Sequence, residues 1–228
     1  MVSALVSAYY SEHFIEGRLV NLLAQDPQPE VLVVCQIGSK EAVIAKDYDV
    51  RVIVTPDIPT IGAAWNIAVR AASHEYLVIA NTDDRFIPGG LKSMADVLDD
   101  NPDVGYVFSD VHILDLDVVN ERWIALWHNR GRLLSEGKVV DAYDILKQRY
   151  FCGPMPMWRR SLHETHGYFN EDYVVACDYD WATRLAKAGV GIYWLNNSVG
   201  VYQLRRNSLE KRNGEESQYE SDRIRELV

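Results

Sequence analysis

The chain has 228 residues and a formal net charge of -10, from 23 basic and 33 acidic side chains. That balance excludes general binding to nucleic acid, because nothing supplies the counterion release that drives it. Hydrophobic residues at 48% and charged residues at 25% are ordinary for a folded domain and exclude a disordered one.

The first seventeen residues lack a basic leader and turn polar after a short apolar start, so no signal peptide is expected. No apolar run is long enough to span a bilayer. Cys35, Cys152 and Cys177 form an odd set without paired-motif spacing, which argues against a zinc site or a disulfide framework. Free thiols in a reducing cytoplasm are the expectation.

The first hundred residues alternate between short apolar runs and segments of helical spacing. Residues 3–9 form an apolar run, and 12–25 carry apolar residues at helical intervals. Residues 31–37 and 50–54 read as strands; a helix is predicted from about Thr60 to Ser73 and a strand over 76–81. Strands alternating with helices imply right-handed crossovers and a mostly parallel sheet, and strands without polar alternation imply one covered on both faces. Beyond Asp84 the pattern is less regular. A helix opened by Pro88 is predicted over 88–100, and a strand over 105–117 whose alternation suggests an exposed or edge position. Helices are predicted over 141–148, 158–167 and 178–189, the last two closed by glycine. Two strands follow, GIYWL and VGVYQL, and the charged tail reads as a surface helix or a frayed end. No linker divides the chain, so a single domain over 1–228 is expected.

In open α/β sheets ligands lie at the carboxyl ends of the strands. The run ANTDDRF (80–86) sets Asp83 and Asp84 just past the end of an apolar strand. Two carboxylates on one turn suit a hard divalent cation that shares phosphate oxygens with a ligand. They also suit a plain solvated turn, which aspartate favours. An acidic protein can bind a diphosphate when a metal supplies the positive charge locally.

The order of several motifs resembles family 2 glycosyltransferases of the GT-A fold. The motifs are Ser7-Ala8-Tyr9-Tyr10 after the first strand, Cys35-Gln36 after the second, Gly62-x-x-x-Asn66 and Asn81-Thr82-Asp83-Asp84 with Pro88. Arg159-Arg160, Gly167-Tyr168-Phe169 and Cys177-Asp178-Tyr179-Asp180 follow, and the resemblance runs from about residue 3 to 208. It implies an α/β fold with a mostly parallel central sheet flanked by helices and a small antiparallel element in the C-terminal half. A donor half of about 1–100, an acceptor half of about 101–210 and a charged tail over 211–228 would make up the domain.

The resemblance further implies inverting, metal-dependent transfer of a sugar from a nucleotide-sugar donor, with UDP-hexose favoured, to a hydroxyl of a glycan. Ser7 and Tyr9 would hold the base, although Tyr9 also reads as a half-buried core aromatic. Gln36 stands where the family often has an aspartate; its amide both donates and accepts, so a pyrimidine edge is still readable. Asn66 either positions the donor or ties its helix to a neighbouring loop. Asn81, Thr82 and Asp83 would serve the donor, and Asp83 with Asp84 the metal, Mn²⁺ or Mg²⁺. Arg205 falls near the family's late histidine, where it would bind phosphate or be surface charge. Asp178 aligns with the catalytic base; an aspartate at a helix start is also a good N-cap. Asp180, two residues on, would point away from Asp178.

Other features carry less. His163-Glu164-Thr165-His166 lacks the residue a zinc-protease helix needs and reads as helix surface. Trp123, Trp127 and Trp158 could form a sugar platform but are as readily core. Two further readings stay open: a nucleotide-sugar-binding module without catalysis, motivated by Gln36, Asn81 and Arg205, and a nucleotidyltransferase, for which no glycine-rich phosphate loop follows the first strand. Two readings of the charged ending also stay open, a whole protein or one module of a longer chain with further domains.

Overall fold

The computed structural model describes residues 1–115, 123–124, 137–205 and 208–227. The first half runs β1 (Val2–Ala8), α1 (Ile15–Leu23), β2 (Glu30–Gln36), α2 (Lys40–Ala45), β3 (Arg51–Thr55), α3 (Ile61–Ala71), β4 (Tyr76–Ile79), β5 (Arg85–Phe86) and α4 (Gly90–Asp100). The second continues with β6 (Val104–Asp115), β7 (Trp123–Ile124), β8 (Gly137–Lys138), α5 (Ala142–Leu146) and β9 (Met157–Arg159). Then come α6 (Leu162–His166), α7 (Cys177–Lys187), β10 (Gly191–Leu204), α8 (Leu209–Arg212) and α9 (Gly214–Leu227).

The strands lie in the order β3-β2-β1-β4-β9-β6-β10-β5. β1 pairs in parallel with β2 and β4, and β2 with β3. The three-residue β9 runs antiparallel to both β4 and β6, so β6 points the same way as β4, and β10 lies parallel to β6. Two reversals thus restore the direction. The carboxyl ends of β1, β2, β3, β4, β6 and β10 all face one edge, where such sheets hold their ligands.

Both faces are covered. Val2, Ala4, Val6, Val31, Val33 and Val78 pack with α1, α2 and α4 in one apolar cluster. Leu5, Leu32, Val34, Leu77 and Ile79 point the other way and pack with α3, α5 and α7. Period-two alternation of side chains explains how one strand feeds two cores, and why these strands show no regular polar alternation. Gly90 opens α4 against β10: a Cβ there would stand 2.3 Å from the Val199 carbonyl oxygen.

Three expectations are revised. β6 is an interior strand: Val104 to Val111 is buried, and His112 to Leu114, within the alternating stretch, is half-exposed. Residues 158–167 are not one helix. Met157 and Trp158 enter opposite cores as strand residues, and only Leu162–His166 is helical. The two predicted strands after Gly189 form one bulged strand, β10. Of the two readings of the tail the helical one holds, and α9 buries Glu220 and Ile224, each 2% exposed.

His163 is likewise buried rather than on a helix surface. Its ring lies flat on Trp181 of α7 at 4.4 Å, Nε2 accepts from Trp158 Nε1 at 2.9 Å, and Nδ1 lies 2.9 Å from the Gly167 carbonyl. A neutral ring with the proton on Nδ1 satisfies both partners. Burial lowers the His163 pKa to about 4. Because the folded value lies below the unfolded one, stability is complete above about pH 6.5 and falls as pH drops toward 4, by about 3 kcal/mol. Urea titrations across that window should show the fall, and His163→Gln should flatten it; an unchanged slope would assign it to another group.

Candidate nucleotide-sugar site

β1 ends at Ala8, and the chain turns through Tyr9 and Tyr10, the latter with φ +49°. The two rings lie 4.3 Å apart, and Tyr9 is 42% exposed, so it is a surface aromatic at the carboxyl edge and not a core residue. Ser7, on the last turn of the strand, is half-buried. At the end of β2, Gln36 Nε2 donates to the Pro56 carbonyl at 3.2 Å, which leaves its side-chain oxygen to accept. Parallel pairing sets these ends side by side: Ala8 opposite Cys35, and Gln36 opposite Thr55.

The turn after β4 is the most heavily tied part of the edge. Asp84 N–H donates to the Asn81 carbonyl at 3.3 Å, and Thr82 is 6% exposed with its carbonyl accepting from Arg85. Asp84 itself is fully buried. Its carbonyl accepts from Arg18 of α1 at 3.0 Å and from Arg85 at 2.7 Å, while its Oδ1 accepts from Gln203 N–H of β10 at 3.2 Å. Burial, aided by the Asp83 charge, raises the Asp84 pKa to about 8. Burial also lowers that of Arg18, to about 9. Arg18 lies on the apolar stripe of α1 with Ile15, Leu19 and Leu22, a signal visible in the sequence and passed over there.

Asp83 differs from its neighbour. Its Oδ2 accepts from Arg205 Nη2 at 2.5 Å, and the guanidinium lies over the Phe14 ring at 4.2 Å. Arg205 follows β10, whose carboxyl end shares the edge with β4. Residues 122 positions apart are brought together because both strands run the same way.

A divalent cation is testable against this geometry. Asp84 Oδ2 is buried without a hydrogen-bond partner, on the same turn as Asp83. Together they offer carboxylate oxygens to a hard cation that takes its remaining ligands from phosphate and water. The residues fit such a cation once Arg205 leaves Asp83, since both compete for the same oxygen. Among the described residues no group of three or more His, Cys, Asp or Glu stands ready to hold a metal.

Asn66 takes the second of its two roles. It is 1% exposed, its Nδ2 donates to the Phe169 carbonyl and to Glu171, and its Oδ1 accepts from Phe169 N–H. Gly62 completes the clamp: a Cβ there would stand 3.3 Å from the Cys177 side chain and the Asn170 carbonyl. The glycine and asparagine of one helix thus fix the segment that leads into α7.

Asp178 sits in the first turn of α7, and Ala176 occupies the N-cap position. The cap reading of Asp178 therefore does not hold; its Oδ1 accepts from Tyr179 N–H at 2.8 Å, and the side chain is half-buried. Burial, then the Asp178 charge, pushes the Tyr150 phenol well up. Asp180 is held by Arg184 at 2.9 Å. Of the tryptophans, Trp158 is fully buried core; the Trp123 and Trp127 side chains lie outside the described residues.

A sequence model of glycosyl transferase family 2 matches residues 3–167, and the chain belongs to that family. It is 30% identical over 130 residues to the uncharacterized glycosyltransferase YwdF of Bacillus subtilis, covering 55% of this chain and 44% of that one. An uncharacterized glycosyltransferase of Haemophilus influenzae is 25% identical over 124 residues, covering 53% and 41%. The matches span less than half the length of either relative. The fold is similar to that of Staphylococcus aureus TarS residues 1–349, with a TM-score of 0.72, 19% identity, and 99% of this chain and 64% of that one covered. It is also similar to the mannosyltransferase PcManGT of Pyrobaculum calidifontis, solved with GDP-Man and Mn²⁺: TM-score 0.68, 22% identity, 98% and 64% covered. These neighbours are α/β proteins of the GT-A type, and the sheet described above is of that type.

The Asp84 contacts set a stability expectation. Asp84→Ala would leave Gln203 N–H without its acceptor and open a void, lowering stability by about 1–3 kcal/mol. Asp84→Asn keeps an acceptor oxygen and should stay within about 1 kcal/mol of the wild type. Urea denaturation of both variants, showing equal losses, would remove Asp84 from this tie.

Proposed function

We propose that this chain carries the donor site and catalytic base of an inverting glycosyltransferase that uses a nucleotide sugar and a divalent metal. The observation that carries the reading is the Arg205–Asp83 pair at the carboxyl edge, in line with the Tyr9 turn and the end of β2. A cation and a carboxylate meet on the same edge of the sheet as an exposed aromatic, an arrangement that suits a diphosphate and a base. Full activity, acceptor and partners belong to a longer protein, as the length of the relatives suggests.

In this reading Tyr9 packs on the base, and Ser7 contacts its edge. With its amide nitrogen on Pro56, Gln36 offers an acceptor oxygen to an imide N–H, which supports uridine. One related fold was solved with UDP and another with GDP-Man, so both nucleotides belong in any test. Asn81 and Thr82 border the ribose and the first phosphate. Arg205, once off Asp83, presents its planar donors to phosphate oxygens. Asp83 and Asp84 would hold Mn²⁺ or Mg²⁺, which when bound supplies positive charge against the departing diphosphate. Asp178 takes the proton of the acceptor hydroxyl as that oxygen attacks the anomeric carbon from the face opposite the diphosphate. The carbon–oxygen bond to the phosphate breaks, its electron pair leaves with the nucleoside diphosphate, and the anomeric configuration inverts.

No described helix is long and apolar enough to cross a membrane. The three buried free thiols suit a reducing, cytoplasmic setting.

A thermal-shift panel of UDP-glucose, UDP-N-acetylglucosamine and GDP-mannose, with and without Mn²⁺, tests the donor site. A stabilisation that grows with donor and requires the metal is expected; no shift with any donor would refute the reading. Asp178→Asn should keep the shift and lower turnover by about 10²–10⁴-fold, and retained turnover would remove it from the role of base. Arg205→Gln should weaken donor binding by about 10–100-fold, the worth of a charge-assisted bond to phosphate. A module that binds without catalysing would show the shift and release no nucleoside diphosphate.

A further inference from the structure

α9 carries one buried acid. Glu220 is 2% exposed, and Ile224 one turn later enters the core with α3 and α7. Among the described residues the Glu220 carboxylate forms no ion pair with a basic side chain. Its Oε1 accepts from Val174 N–H at 2.5 Å, and its Oε2 accepts from Val175 N–H at 2.9 Å and Ala176 N–H at 2.8 Å. Three consecutive backbone donors thus converge on one carboxylate 44 to 46 residues further along the chain.

Those donors lead directly into α7. They belong to the N-cap residue Ala176 and the two residues before it, so Glu220 holds the backbone that enters the helix rather than the first N–H groups of α7 itself. The carboxylate comes from the C-terminal helix and lies ahead of the α7 N-terminus, where the helix dipole favours negative charge. A buried carboxylate is costly unless so compensated, and removing one partner exposes the full cost. The contact therefore sets the conformation of 174–176 tightly.

Asp178 stands two residues beyond. On the other side, Gly62 and Asn66 hold the approach to α7 from α3. The donor residues Ser7, Tyr9, Gln36, Asp83 and Arg205 lie on β1, β2, the β4 turn and the end of β10, and none contacts α9 through Glu220. We infer that Glu220 is a positioning residue for catalysis: it fixes the backbone that aims Asp178, and leaves donor binding alone. This rests on Asp178 being the base, as proposed above. A displacement of about 1 Å at a catalytic group can cost about 100-fold in rate.

The test measures nucleoside diphosphate release from UDP-glucose, UDP-N-acetylglucosamine and GDP-mannose with Mn²⁺, water serving as acceptor. Wild type, Asp178→Asn, Glu220→Gln and Ile224→Ala are compared. Glu220→Gln keeps the shape but turns an N–H₂ group toward the backbone donors. It should lower kcat by about 10–100-fold while the donor KM stays within about twofold. Ile224→Ala loosens α9 without touching the carboxylate, so its kcat should stay near wild type even where its melting temperature falls as far. Amide exchange should quicken at Val174 to Ala176 in Glu220→Gln and not in Ile224→Ala. Wild-type kcat in Glu220→Gln, or a matching loss in Ile224→Ala, overturns the positioning role and leaves the base assignment standing. An Asp178→Asn enzyme that turns over like wild type overturns both.

Discussion

The turn at Asp84 is the contact on which the carboxyl edge of the sheet depends. Its carbonyl and its carboxylate collect hydrogen bonds from α1, from the next residue and from β10, with no solvent between them. A buried acid of this kind is not there to gain stability by charge, because desolvation offsets most of the Coulombic attraction. It makes the turn specific: the carboxylate must find the Gln203 amide and the carbonyl must find Arg18, and one backbone path allows both. Asp83 is then held outward, toward Arg205, while Asp84 is held in.

That division changes how two adjacent aspartates should be understood. They look interchangeable as a pair, yet one is fully buried beneath the turn and the other lies at the edge with a guanidinium on it. Arg205 is a counter-ion for Asp83 already in place, and Arg18 and Arg85 lie on the carbonyl of Asp84, so positive groups outnumber the two carboxylates at the turn.

The entry to α7 rests on ties of longer range. Asn66 and Gly62 hold the entry to α7 from α3, and Glu220 holds it from α9. The matched family span ends at residue 167, so it takes in Gly62 and Asn66 but neither α7 nor α9. His163, stacked on Trp181, adds a neutral ring between the sheet and the same helix.

Much of this was legible in the amino-acid order. Apolar runs without alternation, as in β1, β2 and β4, already required a sheet covered on both faces, because each successive side chain must find a core. The Asp83-Asp84 turn, Gln36 and the Tyr9 turn could be placed at strand ends for the same reason. Short elements were not legible. Met157–Arg159 is too brief to show a period, and β6 is interior because β9 and β10 flank it, which no local pattern records.

Side-chain commitments were hidden as well. The sequence alone determined the parallel half of the sheet and which residues stand at its carboxyl edge, since period and turn chemistry are local. Tertiary structure alone decided that Asn66 clamps a loop, that Asp84 is buried while Asp83 meets Arg205, and that Glu220 holds the segment entering α7. Those depend on which distant backbone donors are left without partners, and only the packed chain brings them within hydrogen-bond reach.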